Sequence, residues 1–332
     1  MKEIRFADGS SGVSPLGPSG RVKAAVRKAA KSINAPPVAE VRRLRIFFES
    51  KFGIASENLL FANSLRELVY FVTAALNPEK VVVVGPAPDM YEDAGLAADA
   101  EVSCISAPAP DLSGMDTPDI CNKLSGADVV LLSDPNRITG KISGWEKSRA
   151  IVAEMAARSP HFIIDRALME FAGQFGADNS LLNAGKITVL GTTALFYGMP
   201  GLELAFAVSS PEMIQLYDKK KHWDINLISV EAARAAYKDS SYAKNLHKFI
   251  AHEKSLLLGM LRKTDRIQVY DSDTNLFLVK TENDPQETGM KLRRAGLDIM
   301  NCGCIQGLDS SFFSIAVMKH ENNLKLISAL RK

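Results

Sequence analysis

Three arginines, Arg66, Arg137 and Arg166, each stand just after a short apolar run of this chain. A guanidinium stays charged and offers five N–H donors in a fork that fits carboxylate and phosphate. If the runs are parallel strands, the arginines lie at their carboxyl ends, where open α/β sheets hold ligands and helix N-termini add positive potential. Together they are candidate residues for binding a small anionic metabolite. The competing reading for each is a solvated side chain, or a pair with a nearby acid such as Glu67, Asp134 or Glu170. Asp165 has two readings as well: a carboxylate in a ligand site, or a cap on the turn that follows.

Other chemistry is sparse. His161, His222, His247, His252 and His320 form no Ser-His-Asp, Cys-His or metal-spaced constellation, so surface or packing roles are expected. Cys104, Cys121, Cys302 and Cys304 include no CxxC pair, which argues against a disulfide framework and a metal site. Lys186 opens an apolar run and belongs at its far end, and Lys219, Lys220 and Lys221 read as a solvated helix face.

The elements that must position these residues follow from periodicity. Short apolar runs alternate with segments of helical period, the pattern of a parallel sheet covered by helices. Strands are expected at 59–62, 81–84, 129–133, 162–165, 187–191 and 204–208, with helices at 66–75, 143–157 and 211–216. A long helical region at 227–261 precedes runs at 267–270, 276–279, 297–300 and 312–317. The expected architecture is α/β: a large domain with a mostly parallel sheet over residues 36–235, and a smaller α+β domain from 1–35 and 236–332.

Composition agrees with a globular enzyme-sized chain. Of 332 residues, 46% are hydrophobic, and 40 Lys+Arg against 38 Asp+Glu leave a net charge of +2. Nothing in that balance draws the whole chain to nucleic acid or an anionic membrane. The start, Met-Lys-Glu-Ile-Arg-Phe-Ala-Asp, has no signal-peptide apolar run, and no stretch reaches the roughly 18 to 20 apolar residues of a membrane span. A cytoplasmic protein is expected.

Asp134-Pro-Asn-Arg-Ile-Thr-Gly140, Asp165-Arg-Ala-Leu-Met-Glu-Phe171 and the loop Thr192 to Gly201 follow successive strands. In order and spacing they resemble the Asn-Pro-Asn-Asn-Pro-Thr-Gly, Asp-Glu-Ala-Tyr and Ser-Leu-Thr-Lys motifs of class I/II aminotransferases, fold type I enzymes that use pyridoxal 5′-phosphate (PLP). Ser14-Pro-Leu-Gly-Pro18, Trp223-Asp-Ile-Asn226 and the segment 292–309 are similar to threonine-phosphate decarboxylases and histidinol-phosphate aminotransferases. The resemblance spans nearly the whole chain. It implies the fold type I PLP-dependent transferase fold, PLP as the one candidate cofactor, and a dimer.

Carried over position by position, the resemblance keeps the framework and loses the chemistry. Leu195 stands where the lysine that binds PLP covalently would be, and Glu203 where an arginine would clamp the phosphate. The phosphate-binding helix start reads Ala62-Asn-Ser-Leu-Arg-Glu67, with Ser64 for its second glycine. Pro88 replaces the ring-stacking aromatic, Arg137 and Leu168 replace the asparagine and tyrosine at the ring oxygen, and Met300, Ser314 and Met318 replace substrate-side arginines. Asp165, Thr192 and Asn136 remain as cofactor-binding remnants, with Thr139, Gly140, Pro200, Gly201, Trp223 and Asn226 as framework. The expectation is a degenerate homologue without covalent PLP and with no catalytic residue, acting as a homodimer or as a heterodimer with an active paralogue. Two alternatives stay open: PLP-dependent aminotransferase or decarboxylase activity on a phosphorylated amino acid, and a cleft repurposed for another anion through Arg66, Arg137 and Arg166.

Overall fold

The computed structural model describes residues 6–106, 122–142, 160–175 and 186–331. In chain order the elements begin with β1 (Ala7–Asp8), α1 (Gly20–Ala29), α2 (Val38–Phe52), β2 (Leu59–Ala62), α3 (Leu65–Ala75), β3 (Lys80–Gly85), α4 (Asp89–Leu96) and β4 (Glu101–Ser106). Next come β5 (Val129–Ser133), β6 (His161–Asp165), β7 (Ile187–Thr192), β8 (Ala205–Ser209), α5 (Pro211–Lys220), α6 (Leu227–Tyr237) and α7 (Ser240–Leu261). The chain ends with β9 (Ile267–Val269), β10 (Leu276–Thr281), α8 (Pro285–Arg294), β11 (Leu297–Asp298), β12 (Met300–Asn301), β13 (Phe312–Ala316) and α9 (His320–Arg331).

A seven-stranded sheet has the order β2-β8-β7-β6-β5-β3-β4, in which β8 runs antiparallel to both neighbours and the remaining pairings are parallel. Its central strands are apolar and buried along their whole length, as strands covered on both faces must be. Because β5, β6 and β7 are parallel, Ser133, Asp165 and Thr192 all come out at one edge of the sheet. The second sheet, β12-β13-β10-β9, is antiparallel, and β1 pairs with β11 in a separate two-stranded ribbon.

The expected strands form, and the short β1 and the edge strand β4 form in addition. β4 was not anticipated: Glu101-Val-Ser-Cys-Ile-Ser106 is a sheet edge with little buried surface, so its sequence carries no apolar run. The run 297–300 divides into β11 and β12, which belong to different sheets. The long helical region breaks at Lys238 and Asp239, where the Asp239 carboxylate caps α7 by accepting from Tyr242 N–H at 3.1 Å. The helix expected at 143–157 lies outside the described residues.

Tight packing fixes the β7–β8 pair that carries the site. Gly191 lies opposite Phe206, and a Cβ at Gly191 would stand 2.2 Å from the Phe206 ring. That ring is held in turn by Phe48 and Phe175, with centroids at 5.3 and 5.5 Å. Gly140 is fixed differently: its φ is +68°, and a Cβ there would meet the Leu276 carbonyl at 2.0 Å. The Gly191→Ala variant is expected to lose about 1–3 kcal/mol through overpacking. A urea-unfolding midpoint equal to that of the unaltered protein would contradict this packing.

Candidate functional site

The site starts at α3. Ser64, with extended backbone, caps this helix by accepting from Glu67 N–H at 3.1 Å, and the Glu67 carboxylate accepts from Asn63 N–H at 2.9 Å. The first helical amide, Leu65 N–H, has no partner within the helix and points outward as such donors do. It donates to Glu203 Oε1 at 3.0 Å, and the Thr192 hydroxyl donates to the same oxygen at 2.5 Å. Burial pushes the Glu203 carboxyl above its ordinary value, while the Thr192 hydroxyl, the Leu65 amide and the Arg137 charge oppose that shift and the Asp165 charge adds to it. The Glu203 carboxyl is seated at the start of α3, where a helix N-terminus favours negative charge.

Asp165 ends β6 and is 1% exposed. Its Oδ1 accepts from Ala167 N–H at 2.8 Å, the capping role that the sequence allows. Its Oδ2 accepts from the Tyr91 hydroxyl at 2.6 Å and faces Arg137 Nη1 at 3.5 Å. Burial first, and then the Asp165 charge, raise Tyr91 well above the ordinary phenol range, so Tyr91 keeps its proton and acts as donor. The Arg137 side chain is 16% exposed and turns inward to Asp165, not to the adjacent Asp134. Tyr91 was missed in the sequence. Its signal was faint: an aromatic residue in the first turn of α4, three residues beyond Pro88.

Leu195 sits in the turn after β7, 6% exposed, within the main apolar core. Its carbonyl accepts from Ser14 N–H at 2.8 Å and Gly198 N–H at 3.2 Å. The Tyr242 hydroxyl lies 2.8 Å from Ser14 Oγ and 2.9 Å from the Gly17 carbonyl, so the N-terminal segment is clamped onto the Leu195 turn from α7.

The remaining candidates take framework positions. Asn136 accepts from Ile138 and Thr139 N–H at 2.9 and 3.0 Å and donates to the Pro86 carbonyl at 2.7 Å, which joins the loops after β5 and β3. Ser314 donates to the Ile138 carbonyl at 2.6 Å. Asn226 caps α6, and its N–H reaches Asn63 beside the start of α3. Arg166 is 4% exposed, on the loop next to that of Arg137. Arg66 is not with them: its side chain is 58% exposed and pairs with Asp93 at 3.9 Å, not with Glu67. His161 bonds Thr188 and His320 pairs with Glu253, both away from the site loops.

Glu170, once a possible partner for Arg166, is instead bonded to Tyr197 behind the Leu195 turn. Burial pushes it to about 8, against the opposing effects of the Tyr197 hydroxyl and Lys51. Because this carboxyl is raised on folding, its stabilising contribution is complete below the ordinary value of 4.5 and is lost as pH rises toward about 8. Stability should fall across that window by up to about 1.4 kcal/mol per pH unit, and Glu170→Gln should flatten the dependence. Melting temperatures across the window test this; an equal slope in the variant would contradict it.

Comparison with known proteins places this geometry in a family. Residues 41–330 match the model of aminotransferase class I and II. The chain is similar to histidinol-phosphate aminotransferase 2 of Archaeoglobus fulgidus, 29% identical over 97% of this chain and 92% of that one. It is also similar to threonine-phosphate decarboxylase of Salmonella typhimurium, 24% identical over 98% and 91% of the two chains. The structure of histidinol-phosphate aminotransferase from Sinorhizobium meliloti in complex with pyridoxal-5′-phosphate superposes with a TM-score of 0.83, at 19% identity over 98% of this chain and 90% of that one. The chain thus belongs to the class I and II aminotransferases.

Proposed function

We propose that this protein is a degenerate homologue of threonine-phosphate decarboxylase and histidinol-phosphate aminotransferase that holds no covalent PLP and performs neither transamination nor decarboxylation. The observation that carries this reading is the state of Asp165. In the relatives that the motifs resemble, this aspartate pairs with the pyridinium nitrogen; here its outer oxygen is taken by Tyr91 and Arg137. The residues present do not fit the cofactor. Leu195 has no amine to form a Schiff base, Asp165 already has a cation, and the helix start where the resemblance puts the phosphate already holds Glu203.

The alternative of a cleft that grips an anion through Arg66, Arg137 and Arg166 has less support. Arg66 reaches Asp93 at the surface and Arg137 is committed to Asp165, so these two guanidinium groups serve different carboxylates. PLP-dependent activity on a phosphorylated amino acid would need an amine, a cofactor phosphate site and a substrate arginine, and Leu195, Glu203 and Ser314 stand at those positions by resemblance. The role that remains is that of a partner or regulator, as a homodimer or as a heterodimer with an active paralogue. Among the described residues no helix is long and apolar enough to cross a membrane, and we place this role in the cytoplasm.

A PLP titration tests the reading, with absorbance followed in the visible band of a lysine aldimine, then borohydride reduction and mass spectrometry. No saturable band and no adduct are expected. A stoichiometric adduct on one lysine would overturn the proposal and identify the residue that replaces the missing amine.

A further inference from the structure

We infer that Glu203 is a built-in occupant of an anion seat: its carboxylate holds the place of a phosphate group at the N-terminus of α3, and removing it converts the seat into a phosphate-binding site. This rests on reading the cleft as a vestigial cofactor site. It goes beyond that reading in stating what fills the place and what would enter if the filling were removed.

The seat is built from three groups. Leu65 N–H is the first amide of an 11-residue helix and has no partner inside that helix, Thr192 supplies a hydroxyl, and both converge on one Glu203 oxygen at 3.0 and 2.5 Å. Arg137 lies close enough for its charge to favour the Glu203 carboxylate. Glu203 enters from the end of the turn Pro200–Leu202, in extended backbone with φ −60° and ψ 138°, and Leu204 behind it is fully buried. The backbone therefore anchors the carboxylate at the helix end. Donors at this half-buried place are satisfied from within the chain, so the protein needs no external anion there.

Electrostatics makes the occupation exclusive. A phosphate brought to the same donors would stand a few ångströms from the Glu203 carboxylate. At the effective dielectric of a protein edge, such a like-charge contact weakens binding roughly 100- to 1,000-fold. Glu203→Ala removes both the charge and the obstruction. Glu203→Gln keeps the shape and removes only the charge.

Thermal unfolding in inorganic phosphate against chloride of equal ionic strength tests the inference, on the full chain without cofactor. For the unaltered protein phosphate should give only the gradual, non-saturating rise in melting temperature that an excluded anion gives any folded protein. Glu203→Ala should melt lower in chloride and recover in phosphate in a saturable way, while Glu203→Gln should respond to phosphate more weakly. Adding Thr192→Val to Glu203→Ala should abolish the recovery. The inference is overturned if neither Glu203 variant responds to phosphate more than the unaltered protein does, or if the unaltered protein already responds as strongly. Because no PLP is present, failure here leaves the absence of a lysine adduct untouched, and a lysine adduct in the titration above would fail that reading independently.

Discussion

A carboxylate at the end of a buried parallel strand must be neutralised or bonded on each oxygen, because an unpaired buried charge is among the most costly groups a fold can contain. Asp165 sets that requirement here, and the neighbouring elements are arranged to meet it. The turn after β6 supplies the Ala167 amide, α4 brings the Tyr91 hydroxyl, and the loop after β5 brings the Arg137 guanidinium. Three separate segments are thereby tied to one side chain.

The same logic applies one strand further on. The N-terminus of α3 and the hydroxyl of Thr192 are donors at a half-buried place, and Glu203 satisfies both. Positive charge from Arg137 meets Asp165 and reaches Glu203, so the two acids share one internal cation. Above them, Ser14 and Tyr242 lock the Leu195 turn shut. In this chain those donors and the aspartate are bonded to other groups of the same chain.

Much of this was legible in the sequence. The six expected strands of the large sheet and the loops that follow them came from apolar runs broken at Asp134, Asp165 and Thr192, a signal that is local and strong. The edge strand β4 was not legible because Glu101, Ser103 and Ser106 interrupt the apolar pattern. Leu195 and Glu203 could be picked out as departures from the motifs they sit in. What Glu203 bonds to could not, since Leu65 is 138 residues away in the chain and only the β2–β8 and β7–β8 pairings bring them together. Arg137 shows the same limit: proximity in sequence suggested Asp134, whereas parallel pairing of β5 with β6 put Asp165 within its reach.

The most direct measurement of the central claim is a crystal structure of the unaltered protein grown in a large excess of PLP. The account predicts the Glu203 carboxylate on Leu65 N–H and Thr192, Arg137 on Asp165, and no cofactor density between them. A phosphate group seated at the start of α3 with a ring against Asp165, and with Arg137 and Glu203 displaced, would contradict it.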